Sequence, residues 1–300
     1  MSFQESLKCK TEAINQLIEQ YLPNIDGRQA LIMESMDYAM KGGGKRVRPM
    51  LMWETYRLFG GTSDVIKPFL VAIEMIHTYS LVHDDLPAMD NDDYRRGRKT
   101  THITYGEDMG ILTGDALLTY AFELVTHLFD THTEQVHTIG KALSVLASKA
   151  GIYGMIGGQV VDVKLAGHAM DEDTLQFIYQ LKTSALLESS MMIGAILAGA
   201  KESDVKVMEQ VASNVGLAFQ IQDDILDVSS TTEQLGKPVH SDEKNQKITY
   251  VGLYSIEEAS AMVEERSKEA IHLLYSLSNV DDSYDGFLTD MIQHMIHRTK

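Results

Sequence analysis

The spacing of the prolines limits the fold of this chain more than any other feature. The 300-residue sequence has five prolines, at positions 23, 49, 68, 87 and 238, so the long segment from 88 to 237 has none. Proline interrupts helices because it lacks an amide donor and clashes with the preceding turn. Apolar residues elsewhere recur at helical spacing, and no run of alternating residues indicates a sheet. The sequence therefore predicts an all-α fold built from long helices.

Periodicity and helix-stop residues also predict where these helices lie. We expect them at 3–22, at 27–41, from Pro49 onward, from about 65 into a first acidic cluster, and at 107–129, 134–150, 152–166, 172–200, 203–228, 256–278 and 283–297. Irregular stretches are expected at 86–106 and 229–247. No linker or internal repeat divides the chain, and 44% hydrophobic residues suffice for a large core, so we expect a single domain over 1–300.

The first acidic cluster brings Asp84, Asp85 and Asp90 together at the end of an apolar run. Carboxylates at this density repel one another, so a chain that gathers them usually binds a cation. On a straight helix Asp84 and Asp90 would point about 120° apart. They can converge only if the helix ends or bends between them, and Pro87 favours such an end.

A second acidic cluster contains Asp223, Asp224 and Asp227 within a segment of helical periodicity. Asp223 and Asp227 are four residues apart and share one helix face. Two carboxylate clusters near basic residues are typical of Mg²⁺ held jointly by protein and phosphate oxygens. The sequence lacks the spacing of an EF-hand loop and has no Cys pairs, so Ca²⁺ and Zn²⁺ are disfavoured.

The charge distribution points to a small polyanionic ligand. The formal net charge is −17 and the pI about 5.0, which argues against nucleic acid or an anionic membrane as the main partner. Seven of the 26 basic residues nevertheless lie in two short stretches, Lys45–Arg48 and Arg95–Lys99. Positive charge focused beside carboxylates indicates a phosphate-bearing small molecule. For either stretch alone, a solvated surface would be the default interpretation.

Features that bear on the cellular compartment favour the cytoplasm. The single cysteine, Cys9, excludes an internal disulfide and suits a reducing compartment. The first residues contain no apolar core of a signal peptide. The longest nearly apolar run, 191–200, is too short to cross a bilayer. We therefore expect a cytoplasmic protein without a membrane span.

Several short fragments occur in one order, although each alone is more simply an ordinary polar or packed segment. They are Gly43–Pro49, Asp84-Asp85-x4-Asp90, Arg95–Gly97, Gly158-Gln159-x2-Asp162, Lys182-Thr183, Asp223-Asp224-x2-Asp227 and Gly236-Lys237. In this order they resemble the short-chain trans-prenyl diphosphate synthases, most closely the bacterial farnesyl type. The resemblance covers nearly the whole chain. It implies an all-α fold around a central cavity, two aspartate motifs facing each other across it, and a homodimer.

The resemblance also implies a role for each matching residue. Asp84 and Asp90 would hold two Mg²⁺ ions, with Asp85 supporting, and Asp223 a third, helped by Asp224 and Asp227. The groups that would bind the allylic diphosphate are Arg95, Lys182 and Lys237. Those that match the isopentenyl diphosphate site are Gly44, Lys45, Arg48, His77 and Arg96. Thr183 and Gln220 would line the reacting carbon, and Tyr79 with Ser80 would set the product length.

The implied reaction is the 1'-4 condensation of dimethylallyl or geranyl diphosphate with isopentenyl diphosphate to give farnesyl diphosphate. Metal ions and fixed cations stabilise the departing diphosphate, and water must be kept from the carbocation. By family analogy the departing diphosphate removes the final proton, so no protein general base is assigned. Tyr79 lies five residues before Asp84, where an aromatic residue closes the pocket in the bacterial farnesyl type; ordinary core packing is its other interpretation.

Other functions stay open at this stage. A geranylgeranyl or geranyl diphosphate synthase would differ only in product length. A non-catalytic subunit of a synthase pair should have lost aspartates, a terpene cyclase has little use for a second diphosphate site, and an acidic helical scaffold would not explain the order of the fragments. The sequence departs from the family pattern at Lys99, His240 and Tyr254-Ser255. None of these departures removes a proposed ligand.

Overall fold

The computed structural model describes residues 2–229, 249–277 and 280–296. These residues form two compact units. The first comprises the chain up to Trp53 together with Ser63–Gly140, and the second comprises Glu54–Thr62 together with the described residues from Lys141 onward. Each unit is built from helices, which confirms the predicted all-α class.

The helices that begin in the first unit are α1 (Phe3–Tyr21), α2 (Ala30–Met40), α3 (Val47–Leu58), α4 (Ile66–Asp84), α5 (Thr101–Tyr105), α6 (Glu107–Thr126), α7 (Leu128–Thr131) and α8 (Val136–Ala150). A two-residue antiparallel ribbon, β1 (Tyr94–Arg95) and β2 (Arg98–Lys99), precedes α5. Ser2 and Glu5 form a capping box that starts α1, since each side chain satisfies an amide that the helix leaves unpaired.

The helices of the second unit are α9 (Met155–Leu165), α10 (Glu172–Ile178), α11 (Ala185–Leu197), α12 (Glu202–Ser229), α13 (Tyr250–Leu253), α14 (Ile256–Tyr275) and α15 (Phe287–Ile296). A π-helix, Tyr179–Ser184, joins α10 directly to α11. Ser255 caps α14 and forms a capping box with Glu258, so the departure from the family pattern at this position supplies a helix start.

Helix α4 is the core element of the first unit. Its side chains are buried almost all round, and Phe69, Ile73 and Ile76 are fully buried. A helix that is apolar on every face must be enclosed by other elements. α4 packs against α6, where Gly110 and Gly114 allow close approach because a Cβ atom at either position would overlap residues from the end of α4 or from α5. This packing fixes the residues at the carboxyl end of α4.

Helix α12 is the corresponding element of the second unit. It runs for 28 residues and packs against α11 and α14. Its buried side chains continue from Val205 to Asp227, so the second acidic cluster lies on a helix that is anchored along most of its length. Carboxylates on such a rigid element are held in fixed positions.

Most predicted helices are confirmed, with differences that have local causes. The helix predicted at 172–200 is interrupted by the π-helix, and the stretch 86–106 contains the ribbon and α5. The helix predicted from 152 begins at Met155, because residues 151–154 form a turn. Of the polar loop expected at 229–247, only Ser229 is among the described residues. The expectation of a single domain stays a prediction, and no described helix has the length and apolar character needed to cross a membrane.

Candidate active site

The first acidic cluster lies where α4 ends and the chain folds back on it. α4 ends at Asp84, and the amide of Asp90 donates to the carbonyl oxygen of Asp84 at 2.9 Å. The amide of Asp92 likewise donates to the carbonyl of Asp85 at 3.2 Å. The predicted helix end between Asp84 and Asp90 is therefore confirmed, and the backbone of the loop brings these two residues together.

Asp85 has a different environment from its neighbours. Its side chain is buried, and one carboxylate oxygen accepts from Arg95 Nε at 2.8 Å and Nη2 at 2.6 Å. Burial raises the pKa of the Asp85 carboxyl, while the hydrogen bond and charge of Arg95 oppose that rise. Asp85 thus holds the Arg95 guanidinium in one orientation.

Asp84 and Asp90 fit a magnesium ion that is shared with a ligand. Asp84 is half-buried and Asp90 is exposed, so both carboxylates can reach a hard cation. Within residues 2–229, 249–277 and 280–296, no three potential ligands come close enough to enclose a metal by themselves. Mg²⁺ is commonly held by one or two carboxylates, with water and phosphate oxygens completing its shell. Asp84 and Asp90 are such a pair of carboxylates, and they would leave the other positions around Mg²⁺ to water and phosphate oxygens.

A glycine-rich loop lies beside the ribbon in the first unit. Gly43 and Gly44 have φ values of +81° and +143°, a region that other residues rarely adopt. The Arg96 guanidinium donates to the carbonyl of Gly43, and a Cβ atom at Gly44 would lie 2.6 Å from Arg96 Nη1. The backbone angle therefore favours glycine at 44, and a side chain there would displace the Arg96 guanidinium. Lys45 follows as an exposed side chain.

Arg48 and His77 belong to the same cationic region. Arg48 Nε is buried and has no hydrogen-bond partner among the described residues, and burial lowers the pKa of Arg48 to about 10. Burial lowers the pKa of His77 well below its ordinary value, and the charge of Arg48 lowers it further. His77 is therefore neutral at pH 7, and a bound anion would supply partners for both side chains.

The low pKa of His77 predicts a specific loss of stability in acid. The folded state resists protonation of His77 whereas the unfolded chain accepts a proton near pH 6.5, so stability falls as the pH drops below 6.5. Between pH 7 and 5.5, we expect the free energy of unfolding of His77→Asn to fall by about 1 kcal/mol less than that of the parent. Denaturant midpoints at both pH values measure this, with the exposed His127→Asn as control. Equal losses in the parent and His77→Asn would show that His77 titrates normally.

Tyr79 is buried on α4 and packs against a histidine of the same helix. It is 6% exposed, and its ring packs edge-on against His83 with centroids 5.8 Å apart. The ring of His83 lies over Gly114, and its Nε2 is 3.0 Å from the carbonyl oxygen of Ile111. Burial and the charge of Asp84 raise the pKa of Tyr79 to about 12, so its phenol is neutral. The hydroxyl of Ser80 instead donates to the carbonyl of His77 on the same helix at 2.9 Å.

In the second unit, the π-helix orients Lys182 and Thr183. Lys182 Nζ lies 2.6 Å from a carboxylate oxygen of Asp162 on α9. Thr183 donates to the side-chain oxygen of Gln220 on α12 at 3.0 Å. The wider turn of a π-helix changes the direction of side chains relative to a regular helix, and such turns are frequent at functional sites. The structure therefore joins Thr183 to Gln220 on α12, while the neighbouring Lys182 pairs with Asp162 on α9.

Gly158 allows this packing, which leads to a stability prediction. A Cβ atom at Gly158 on α9 would overlap the backbone nitrogen of Lys182, whereas Gly140 in α8 faces open space. We expect Gly158→Ala to lower the free energy of unfolding by about 1–3 kcal/mol through overpacking. Gly140→Ala, the matched control, should raise it by about 0.5–1 kcal/mol through helix propensity. Urea denaturation measures both, and equal effects would contradict the tight approach at Gly158.

The second acidic cluster is not uniform. Asp224 is buried, and one of its oxygens accepts from the Tyr179 hydroxyl at 2.8 Å and from the Tyr250 amide at 2.9 Å. Asp227 is also buried, whereas Asp223 is half-buried. Asp224 therefore joins the π-helix and α13 to α12. Of the three carboxylates, Asp223 is the most open to a ligand.

The sequence alone assigns no role to three residues that hold these sites together. In the sequence Arg46 is one member of a basic loop, but in the structure it is buried and paired with Glu74. Asp162 pairs with Lys182, and Tyr179 binds Asp224. Glu74 in a nearly continuous apolar helix is the one signal that could have indicated the first of these. Lys237 lies outside the described residues, as does His240.

Comparison with known proteins places this arrangement in a family context. The family model described as polyprenyl synthetase matches residues 29–282. The chain is 44% identical to the geranylgeranyl diphosphate synthase of Cyanophora paradoxa, over 88% of each chain. It is 41% identical to the farnesyl diphosphate synthase of Geobacillus stearothermophilus, over 85% of this chain and 86% of that protein.

A solved structure extends the likeness to the fold. The geranyltransferase from Helicobacter pylori, complexed with magnesium and isoprenyl diphosphate, superposes with a TM-score of 0.82 at 28% sequence identity. The match covers 99% of this chain and 97% of that one. The helical architecture is therefore shared over essentially the whole length.

Proposed function

This chain belongs to the polyprenyl synthetase family, and we propose that within the family it is a farnesyl diphosphate synthase. Its membership makes it a prenyltransferase that acts on isoprenoid diphosphates, a trans-prenyl diphosphate synthase. Its relatives are divided between farnesyl and geranylgeranyl diphosphate synthases, so the product length rests on the residues of this chain.

The observation that carries the C15 product is the position of Tyr79. It lies on α4, five residues before Asp84, which is about 7–8 Å along the helix axis. Its ring is buried and braced by His83, so it forms a rigid apolar surface at a fixed distance from the first aspartate. We assign to Tyr79, with Ser80 beside it, the closed end of the pocket for the growing prenyl chain.

The diphosphate sites follow from the charged groups of each unit. In the first unit, Gly44, Lys45, Arg48, His77 and Arg96 would bind isopentenyl diphosphate, and the unpartnered Nε of Arg48 supports an anion there. Asp85 orients Arg95, and the family resemblance assigns Arg95, Lys182 and Lys237 to the allylic diphosphate. Fixed guanidinium and ammonium groups stabilise negative charge that develops on the leaving diphosphate.

We propose that Asp84 and Asp90 hold two Mg²⁺ ions and that Asp223, helped by Asp224 and Asp227, holds a third. Bound to the substrate phosphates, these ions would stabilise the charge of the departing diphosphate. Thr183 and Gln220, joined by their hydrogen bond, would steady the cation at the reacting carbon. No side chain is assigned as general base. We also propose a homodimer, as the resemblance implies, and a cytoplasmic location, as the single cysteine favours.

Product analysis by mass spectrometry tests this proposal. The purified chain is incubated with dimethylallyl and isopentenyl diphosphates, with Mg²⁺ and separately with EDTA. A C15 diphosphate formed only with Mg²⁺ would support the farnesyl assignment. The second candidate is a C20 product, favoured by the 44% identical geranylgeranyl diphosphate synthase, and it would refute Tyr79 as the pocket end. No condensation would favour a non-catalytic subunit.

A further inference from the structure

Arg46 is a buried charged group near the proposed isopentenyl diphosphate site. It is 5% exposed, and Nη1 donates to Glu74 at 2.7 Å. Nε donates to the Asn15 side chain at 2.8 Å, and Nη2 donates to the carbonyl of Met40 at 2.7 Å. Each guanidinium nitrogen therefore has a partner within the protein, so Arg46 is not available to bind a ligand.

The backbone of Arg46 is held in an unusual conformation. Its φ is +49°, in the left-handed region that residues with a side chain seldom occupy. Such angles persist only where surrounding contacts enforce them. Here the enforcing contacts are the hydrogen bonds of the Arg46 side chain to α1, to the end of α2 and to α4. The side chain of Arg46 thereby sets the path of the loop between Gly44 and Arg48.

Glu74 is the partner whose charge matters most. It is 3% exposed and lies on α4, one turn before His77. Burial lowers the pKa of both Arg48 and Arg96, and the negative charge of Glu74 opposes that fall, so Glu74 acts on two cations that we assign to the ligand. A buried carboxylate that lacked its own partner would compete with a diphosphate for these arginines.

We propose that Arg46 is a positioning residue that neutralises Glu74, which leaves the charges of Arg48 and Arg96 for the diphosphate of isopentenyl diphosphate. This inference rests on the proposed function of the site. The inference assigns Arg46 and Glu74 to isopentenyl diphosphate alone. Among the described residues, we find no hydrogen bond or ion pair that joins either residue to the aspartate loop. A merely structural ion pair would affect both substrates alike.

Steady-state kinetics with geranyl and isopentenyl diphosphates tests the inference. We expect Arg46→Met to raise KM for isopentenyl diphosphate by about 10–100-fold, with KM for geranyl diphosphate and kcat within about threefold of the parent. Arg46→Lys, which keeps the charge, should recover most of the loss. Arg46→Met combined with Glu74→Met should return KM for isopentenyl diphosphate to within about threefold of the parent, since the competing carboxylate is gone.

Two results would overturn the inference. One is a double variant no better than Arg46→Met, and the other is an equal rise in KM for both substrates. If circular dichroism shows that Arg46→Met does not fold, the inference is tested on Arg46→Lys and the double variant. Both should then have a KM for isopentenyl diphosphate close to that of the parent. Arg48→Gln separates the inference from its premise. If Arg48→Gln does not raise KM for isopentenyl diphosphate, the proposed site itself is wrong; if it does, the Arg46 variants test Arg46 alone.

Discussion

Asp84→Asn is expected to lower kcat/KM for prenyl transfer by about a thousandfold or more, equivalent to roughly 4 kcal/mol of transition-state stabilisation. The substitution keeps the size of the side chain and removes its charge. Asp84 is the last residue of α4, and the loop that follows returns Asp90 to its carbonyl oxygen. The loss should therefore come from weakened cation binding rather than from a disturbed helix.

A magnesium titration identifies the cause of this loss. Asp84→Asn should need a higher Mg²⁺ concentration for half-maximal rate, while its thermal midpoint stays near that of the parent. Asp93→Asn, in an exposed position of the same loop, is the matched control and should retain nearly full activity. If Asp84→Asn kept the magnesium dependence of the parent and lost only stability, the assignment of Asp84 as a metal ligand would be wrong.

The helical class and the position of the first loop could be predicted because they follow from local rules. Pro87 forbids the continuation of α4, and Asp84 and Asp90, which would point about 120° apart on a straight helix, can converge only where the chain turns. The long proline-free segment likewise allows α12 to run through the second acidic cluster. Both predictions depend on residues close together in the chain.

The missed features depend on residues that are distant in sequence. The π-helix at Tyr179–Ser184 is held by Gly158 and Gly216, whose small size matters only because another backbone approaches them. The burial of Asp224 depends on Tyr179 and Tyr250, which meet it only in the folded chain. Spacing within a helix indicates which residues share a face. It does not indicate which of them a neighbouring element will cover.

The same limit applies to charges. Lys45, Arg46 and Arg48 are equivalent in a sequence pattern, yet Arg46 is buried against Glu74 while Lys45 is exposed. An arginine satisfied by internal partners tunes its surroundings, whereas an arginine with an unpartnered buried nitrogen, such as Arg48, is suited to a ligand. The two arginines are of the same residue type, so only their hydrogen-bond partners in the folded chain show which one is suited to a ligand.

The physical basis for a change of product lies in the packing of Tyr79. Its ring is buried and packs edge-on against His83, which itself lies over Gly114. Replacing a buried aromatic ring by a methyl group leaves a cavity, because a packed core relaxes only partly. A cavity at this position would extend the apolar pocket whose closed end we assign to Tyr79.

Tyr79→Ala is therefore expected to change the main product from C15 to C20 and longer diphosphates, measured by mass spectrometry after incubation with isopentenyl diphosphate in excess. The variant should also lose about 3–5 kcal/mol of stability, so products are compared at a temperature where both proteins are folded. Tyr79→Phe keeps the ring and should keep the C15 product. Tyr120→Ala, which loosens α6 packing at a half-buried tyrosine, controls for general loosening and should leave product length unchanged. An unaltered distribution in Tyr79→Ala would mean that another residue closes the pocket.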